Sequence, residues 1–416
     1  MPATTIENTL GLGLVRQPKA VYFGPGQRRQ IPFVVAPLGK HVLICTDARM
    51  ATTPEFEQIH KDLTTAGLTV SVYSDTEPDL PRANVVDLQQ KFTGKGIEVV
   101  VGLGGGSCLD MAKVAGLVLA RGGDIRDYFG ENLVDGPGLP VITVPTTGGT
   151  GAEVSCISVV FDDEKGMKVG VGSAYLEAYA AIIDPELTLT CPPGLTAATG
   201  ADALSHLIES FTDRSKNPTA DQVDKHLYVG KNVLTDFFCR TGLQLLNTSL
   251  EAVVANPSDI AARSDTMMAA YCAGMALNTA GTAAAHAIQA PIGNLTHTPH
   301  GFGVGALLPY VMRYNLPVRV SVFAEMGRLM GVATADQPEL EQAHAAIVRV
   351  EKILGALGVP LNLKDLGLEP EHFDFVAEQA MLATRLTANN PRDMSKEDVI
   401  KILEFGYADD RSWWTI

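Results

Sequence analysis

The sequence has no CxxC pair. Its six cysteines, Cys45, Cys108, Cys156, Cys191, Cys239 and Cys272, stand far apart. That excludes the usual zinc-ribbon and thioredoxin patterns and points to reduced thiols in a reducing compartment. Residues Met1–Gln17 lack the charged, apolar and small-residue order of a secretory leader, so a cytoplasmic protein is expected. No acidic or basic tail is present either. The net charge of −15 is spread along the chain, which argues against nucleic acid or an anionic membrane surface as partner. One further absence is local: from Thr266 to Met312 there is no Asp, Glu, Lys or Arg, yet three of the nine histidines, His286, His297 and His300, fall inside. A run this long without charge belongs in an interior, and buried imidazoles need partners. They are either satisfied core histidines or part of a metal site. The Ala-, Gly- and Thr-rich part up to Ala290 carries Asn278, His286 and Gln289, so it reads as a buried helix and not a membrane span.

What is present is ample apolar content, 46%, over 416 residues, enough for two domains with real cores. After an extended lead-in over residues 1–20, strands are expected at Lys19–Phe23, His41–Cys45, Thr69–Tyr73, Glu98–Val101, Leu139–Val144 and Ala180–Ile183. Helices are expected at Glu55–Ala66 and Arg82–Phe92. This alternation predicts an open, mainly parallel α/β sheet. Hairpin arms Ser155–Phe161 and Met167–Gly172 flank a polar turn. The strand at Glu98–Val101 runs into Gly102-Leu-Gly-Gly-Gly-Ser107 and then a helix, where backbone N–H groups and a helix N-terminus can cradle an anion. The spacing is not GxGxxG, because Ser107 holds the third position. A second loop, Pro145-Thr-Thr-Gly-Gly-Thr-Gly151, also follows a strand, where open α/β sheets bind ligands. Asp47, just past the second strand, can take a ribose diol or cap the next segment. From Cys191-Pro192-Pro193 onward only helical periodicity is seen, so domains 1–192 and 193–416 are expected. Long helices are predicted at Ala220–Asn247 and Asp259–Ala290, and residues 314–416 complete a bundle, with Trp413-Trp414 near its end. Asp202 and His206, four apart, share a helix face, as a surface pair or as two ligands of one divalent ion.

Gly104-Gly-Gly-Ser-x-x-Asp-x-Ala-Lys113, Pro145-Thr-Thr-x-Gly-Thr-Gly-x-Glu-Val154, Asp184-Pro-Glu-Leu-Thr188, Thr196-Ala-Ala-Thr-Gly-x-Asp-Ala-Leu-x-His206 and Pro299-His-Gly301 occur in this order. The chain resembles the iron-containing (group III) alcohol dehydrogenase family over nearly its whole length. The resemblance implies a dehydroquinate synthase-like architecture: an N-terminal dinucleotide-binding domain, an all-α C-terminal domain and an active site between them. It implies catalytic metal ligands at Asp202, His206, His286 and His300, a set that suits Fe²⁺ or Zn²⁺. It places the coenzyme on Gly104, Gly105, Gly106, Ser107, Asp110, Thr146, Thr147 and Lys168, with Asp47 favouring NAD. The implied activity is hydride transfer between nicotinamide and an alcohol, aldehyde or ketone carbon. The implied assembly is a homodimer or higher homo-oligomer. Hydroxyacid–oxoacid transhydrogenation on a tightly held NAD is the alternative. Maleylacetate reduction or a non-catalytic binding role fits less well with a complete ligand set.

The chain departs from the family in three respects. Ala290 stands where many relatives have a second histidine thought to help relay the substrate proton, which leaves water, the coenzyme ribose or His297 for that role. Leu277 and Ile157 replace a common Phe and Asn, which implies a roomier, more apolar substrate pocket. Pro78-Asp79-Leu80 replaces a coenzyme loop often written Pro-Asn-Pro.

Overall fold

The computed structural model describes residues 12–412; the start of the lead-in and Trp413-Trp414 lie outside them. Among the described residues of the first half, nine strands form: β1 (Ala20–Phe23), β2 (His41–Cys45), β3 (Thr69–Tyr73), β4 (Val99–Gly104), β5 (Gly130–Glu131), β6 (Val141–Pro145), β7 (Ile157–Asp162), β8 (Met167–Gly172) and β9 (Ala180–Ile183). Six make a parallel sheet in the order β1-β9-β6-β4-β2-β3. The helices α1 (Ile31–Val35), α2 (Pro54–Thr65), α3 (Arg82–Phe92) and α4 (Gly106–Arg121) alternate with these strands. Both faces of the sheet are covered. Along β4, Val100 packs with Leu88, Met111 and Val114 on one side, while Val99 and Val101 pack with Ile59 and Leu63 on the other. That is why these strands read as continuous apolar runs and not as alternating ones.

From β2 the chain steps to β3 on one side and returns to β4 on the other. Such a reversal opens a crevice beyond the carboxyl ends of the two inner strands. The hairpin arms β7 and β8 pair antiparallel as expected, but they join the short β5 in a separate three-stranded sheet.

The second half has no named strand among the described residues. It holds α5 (Pro193–Thr212), α6 (Ala220–Lys225), α7 (Val233–Ala255), α8 (Ile260–Leu277), α9 (Ala284–Thr296), α10 (His300–Leu329), α11 (Glu339–Ala356), α12 (Phe373–Leu382), α13 (Thr384–Asn389) and α14 (Lys396–Ala408). Two expected long helices are broken. The one over Ala220–Asn247 becomes α6 and α7, because Asn232 caps a fresh helix, accepting from the Leu234 and Thr235 N–H groups. The one over Asp259–Ala290 stops at Leu277. Asn278 caps the helix end with its backbone still helical, and the chain turns away at Gly281, φ +95°. The Asn278 side chain reaches across the fold, its Oδ1 accepting from Cys156 N at 2.8 Å and its Nδ2 donating to Val154 O at 3.1 Å and Arg16 O at 3.0 Å. Asn278 thereby ties the helices to the sheet side of the molecule. No helix among the described residues is long and apolar enough to cross a membrane.

Candidate coenzyme cleft and metal centre

β4 delivers Gly104 to the crevice with φ +153°, and a Cβ there would stand 2.6 Å from Cys108 Sγ, so the turn requires glycine. Gly105 caps α4, and Gly106 and Ser107 are its first residues, leaving their N–H groups pointed at the crevice. Thr146 is buried beside this turn. Its N–H donates to Gly104 O at 2.9 Å, and its Oγ1 has no partner. Asp47 caps the segment that follows it and also lies beside the glycine turn. Its Oδ1 accepts from Met50 N at 2.8 Å, and its Oδ2 faces Cys108 Sγ at 3.7 Å, beside the glycine turn. Thr147 borders the turn as well, with its side chain 3.6 Å from the Cβ position of Gly105.

Two residues sit otherwise. Asp110 is turned into the protein: its Oδ2 accepts from Val159 N at 2.9 Å and its Oδ1 lies 3.2 Å from Lys113 Nζ, which pins β7 to α4. Lys168 pairs with Asp79 at 2.7 Å, across from the loop after β3.

Three of the four ligand candidates, Asp202, His206 and His286, bring ligand atoms within 4.8 Å of one another, and His300 faces Asp202 beside them. Asp202 and His206 lie on α5, His286 is the third residue of α9, and His300 is the first of α10. The Nε2 atoms of His206, His286 and His300 stand 3.4, 3.6 and 3.6 Å from Asp202 Oδ1. Ligand atoms about 2.1 Å from a tetrahedral ion are about 3.4 Å apart, so the spacing suits an ion at the centre better than direct pairing. Asp202 Oδ1 and His286 Nε2 are buried with no hydrogen-bond partner, as donor atoms awaiting an ion would be. The residues present therefore fit a divalent metal.

Their outer nitrogens are held. Glu209, one turn beyond His206, accepts from His286 Nδ1 at 2.5 Å. Its carboxylate also accepts from Ala283 N at 3.0 Å and Ala285 N at 2.7 Å, so it closes the start of α9. Gln289 Oε1 lies 2.8 Å from His300 Nδ1. Such partners fix ring orientation and tautomer. Burial opposes the charge on His286, but the Glu209 and Asp202 carboxylates outweigh it and push the imidazole up to about 9. Burial pushes His300 down to about 4. Burial would raise the Asp202 carboxyl, yet the surrounding imidazoles hold it below the usual range.

Sequence reasoning missed Glu209 and Gln289 as partners. Its one signal was that both are polar on otherwise buried helical faces. His297 is exposed and caps α9 in a left-handed conformation, φ 55°, so it is a turn residue. Ala290 is exposed, Leu277 is nearly enclosed, and Ile157 packs with Cys156, Leu227 and Tyr228.

Residues 18–185 match the family model described as iron-containing alcohol dehydrogenase, and residues 196–407 match the C-terminal model of the same family. The chain is 32% identical to the NAD-dependent methanol dehydrogenase of Bacillus methanolicus over 93% of this chain and 98% of that one. It is 33% identical to long-chain-alcohol dehydrogenase 1 of Geobacillus thermodenitrificans, over 94% and 96%. Among solved structures, an alcohol dehydrogenase from Oenococcus oeni superposes with a TM-score of 0.88 at 31% identity, covering 95% of this chain and all of that one. The matched segments run through both the glycine turn and the histidine cluster, and the chain belongs to the iron-containing alcohol dehydrogenase family.

Proposed function

We propose that this protein is a metal-dependent, NAD(H)-linked alcohol dehydrogenase, working in either direction between an alcohol and its aldehyde or ketone. The observation that carries this reading is the convergence of three imidazole Nε2 atoms on Asp202 Oδ1. Asp202, His206, His286 and His300 would hold Fe²⁺ or Zn²⁺, with Glu209 and Gln289 orienting two of the rings. The glycine turn and Thr146–Thr147 would hold the pyrophosphate, Asp47 the adenosine ribose, and Lys168 the nicotinamide half. A carboxylate at Asp47 repels a 2′-phosphate and accepts from a free 2′-hydroxyl, which favours NAD. When bound, the ion supplies Lewis acidity to the substrate oxygen and the nicotinamide takes or gives the hydride. No imidazole stands at position 290, so the hydroxyl proton leaves to water over the exposed Ala290 face. Relatives are named for methanol, long-chain alcohols and 1,3-propanediol. The apolar Leu277 and Ile157 favour substrates larger than a short diol.

The reading also divides the chain into a coenzyme unit, 1–192, and a metal unit, 193–416. It places the protein in the cytoplasm, which suits six buried free cysteines, as a homodimer or larger assembly. The test is to load the protein with Fe²⁺ or Zn²⁺ and scan alcohols with NAD⁺, following free NADH. Accumulating NADH with wild type, and its loss together with bound metal in His300→Ala, is the expected result. Turnover of hydroxy acids with oxo acids without free NADH would favour the transhydrogenase reading. Full activity in His300→Ala would remove the metal assignment.

A further inference from the structure

One cluster away from the cleft is used by nothing described above. Asp213 caps the carboxyl end of α5 with its side chain fully enclosed, and neither of its carboxylate oxygens has a hydrogen-bond partner. A buried polar group left unmet is costly and calls for an explanation. Asp213 lines a cavity of about 430 Å³ together with Arg214, Ser215, Lys231, Arg319 and Ser321, a volume suited to a small molecule.

The cavity is made by a kink in α10. After Pro317 the helix breaks at Arg319, with φ −137° and ψ 24°. That turn sends the guanidinium back to α5, where Nε donates to Thr212 O at 2.7 Å and Nη2 to Asp213 O at 3.3 Å, while Nη1 donates to Val318 O at 2.9 Å. All three acceptors are backbone carbonyls. Lys231 pairs with Asp236 over the Phe211 ring, and Arg214 reaches the exposed Asp393. Three cations thus border the cavity of a protein whose net charge is −15. Asp213 is the one acid among the described residues that line it. Burial first, then the Glu209 carboxylate one turn back, raise its carboxyl well above the usual range, against the pull of Lys216, Lys231 and Arg319.

We propose that this cavity binds a small oxyanion, the carboxylate or phosphate group of a metabolite, between Arg214, Lys231 and Arg319. Asp213 is enclosed behind the cavity wall and its carboxyl is raised, so it adds little opposing charge, while the cations neutralise the ligand. A cationic ligand would instead face three like charges.

The full-length protein is titrated with inorganic phosphate and, separately, malonate, reading thermal stability and heat of binding. A saturating rise in Tm with at least one of them is expected. Phosphate alone assigns a phosphate group, malonate alone a carboxylate, and both a general oxyanion site. Excluded salts raise Tm without saturating. Ser321→Asp adds a carboxylate at an exposed position, and affinity should fall on the order of tenfold. Lys231→Gln should weaken binding in the same direction. The proposal is overturned if neither anion saturates, or if both variants bind as wild type does. The titrations use metal-free protein with NAD⁺ saturating the coenzyme cleft, so that the fall in affinity in Ser321→Asp and Lys231→Gln assigns the binding to this cavity whether or not the dehydrogenase reading holds.

Discussion

Glu209 touches no substrate or coenzyme in the proposed arrangement, yet it fixes both His286 and the first turn of α9. Glu209→Gln keeps the volume but removes the charge that accepts from His286 Nδ1. We expect metal affinity, measured by chelator competition, to fall about 10- to 100-fold with the fold intact. Affinity equal to wild type would make Glu209 a plain helix cap. Asp47→Gly should raise the affinity for NADPH relative to NADH, measured by coenzyme fluorescence. It should also cost about 1 kcal/mol in stability through the lost bond to Met50 N. The difference between these residues shows what the sequence discloses. Asp202 and His206 were legible because four residues bring them onto one helical face. Glu209 was not, since its partner lies 77 residues on and no local spacing joins them.

Two of the four proposed ligands lie on the first turns of helices, so where a helix begins decides whether the centre exists. The Ala-rich run read as one helix; it breaks at Gly281, φ +95°, and Glu209, reached across the fold, caps the new helix and holds His286. The strands of the parallel sheet, in contrast, were legible to within about three residues at either end, since buried parallel strands are short apolar runs bounded by turns, while the two-residue β5 carried no such run and was not foreseen. α10 starts hard against α5: a Cβ on Gly301 would stand 1.9 Å from Ala198 O and 3.1 Å from Asp202 Cβ. Gly301→Ala must therefore shift the start of α10 and carry His300 with it. We expect destabilisation of about 1–3 kcal/mol and a larger fractional loss of bound metal. Metal analysis beside a denaturation curve checks this, and unchanged metal content would show that the helix start can slide without harm.

Across the whole molecule, the sheet side and the helices meet at a buried polar seam containing Lys113, Glu153, Glu177 and Asn278. Burial pushes both Glu153 and Glu177 up to about 7, against the pull of Lys113. An acid raised in the folded state binds more protons there than when unfolded. Its contribution is therefore fully present below the unfolded value of 4.5 and is lost as pH rises through about 7. Each group accounts for at most about 3 kcal/mol over that window. Denaturant midpoints should fall between pH 5 and pH 8, and Glu177→Gln should flatten that decline; an equally steep decline in the variant would clear Glu177 of the effect.

The charge-free run also decides how the centre is seen by mass spectrometry. Trypsin cuts after Lys and Arg, and between Arg263 and Arg313 there is neither; the same holds between Lys168 and Arg214. Digestion therefore places His286 and His300 in one peptide, Ser264–Arg313, and Asp202 and His206 in another, Val169–Arg214. Oxidation driven by ascorbate and bound iron damages side chains next to the ion. Its adducts should gather in those two peptides and be missing from them when zinc is loaded instead.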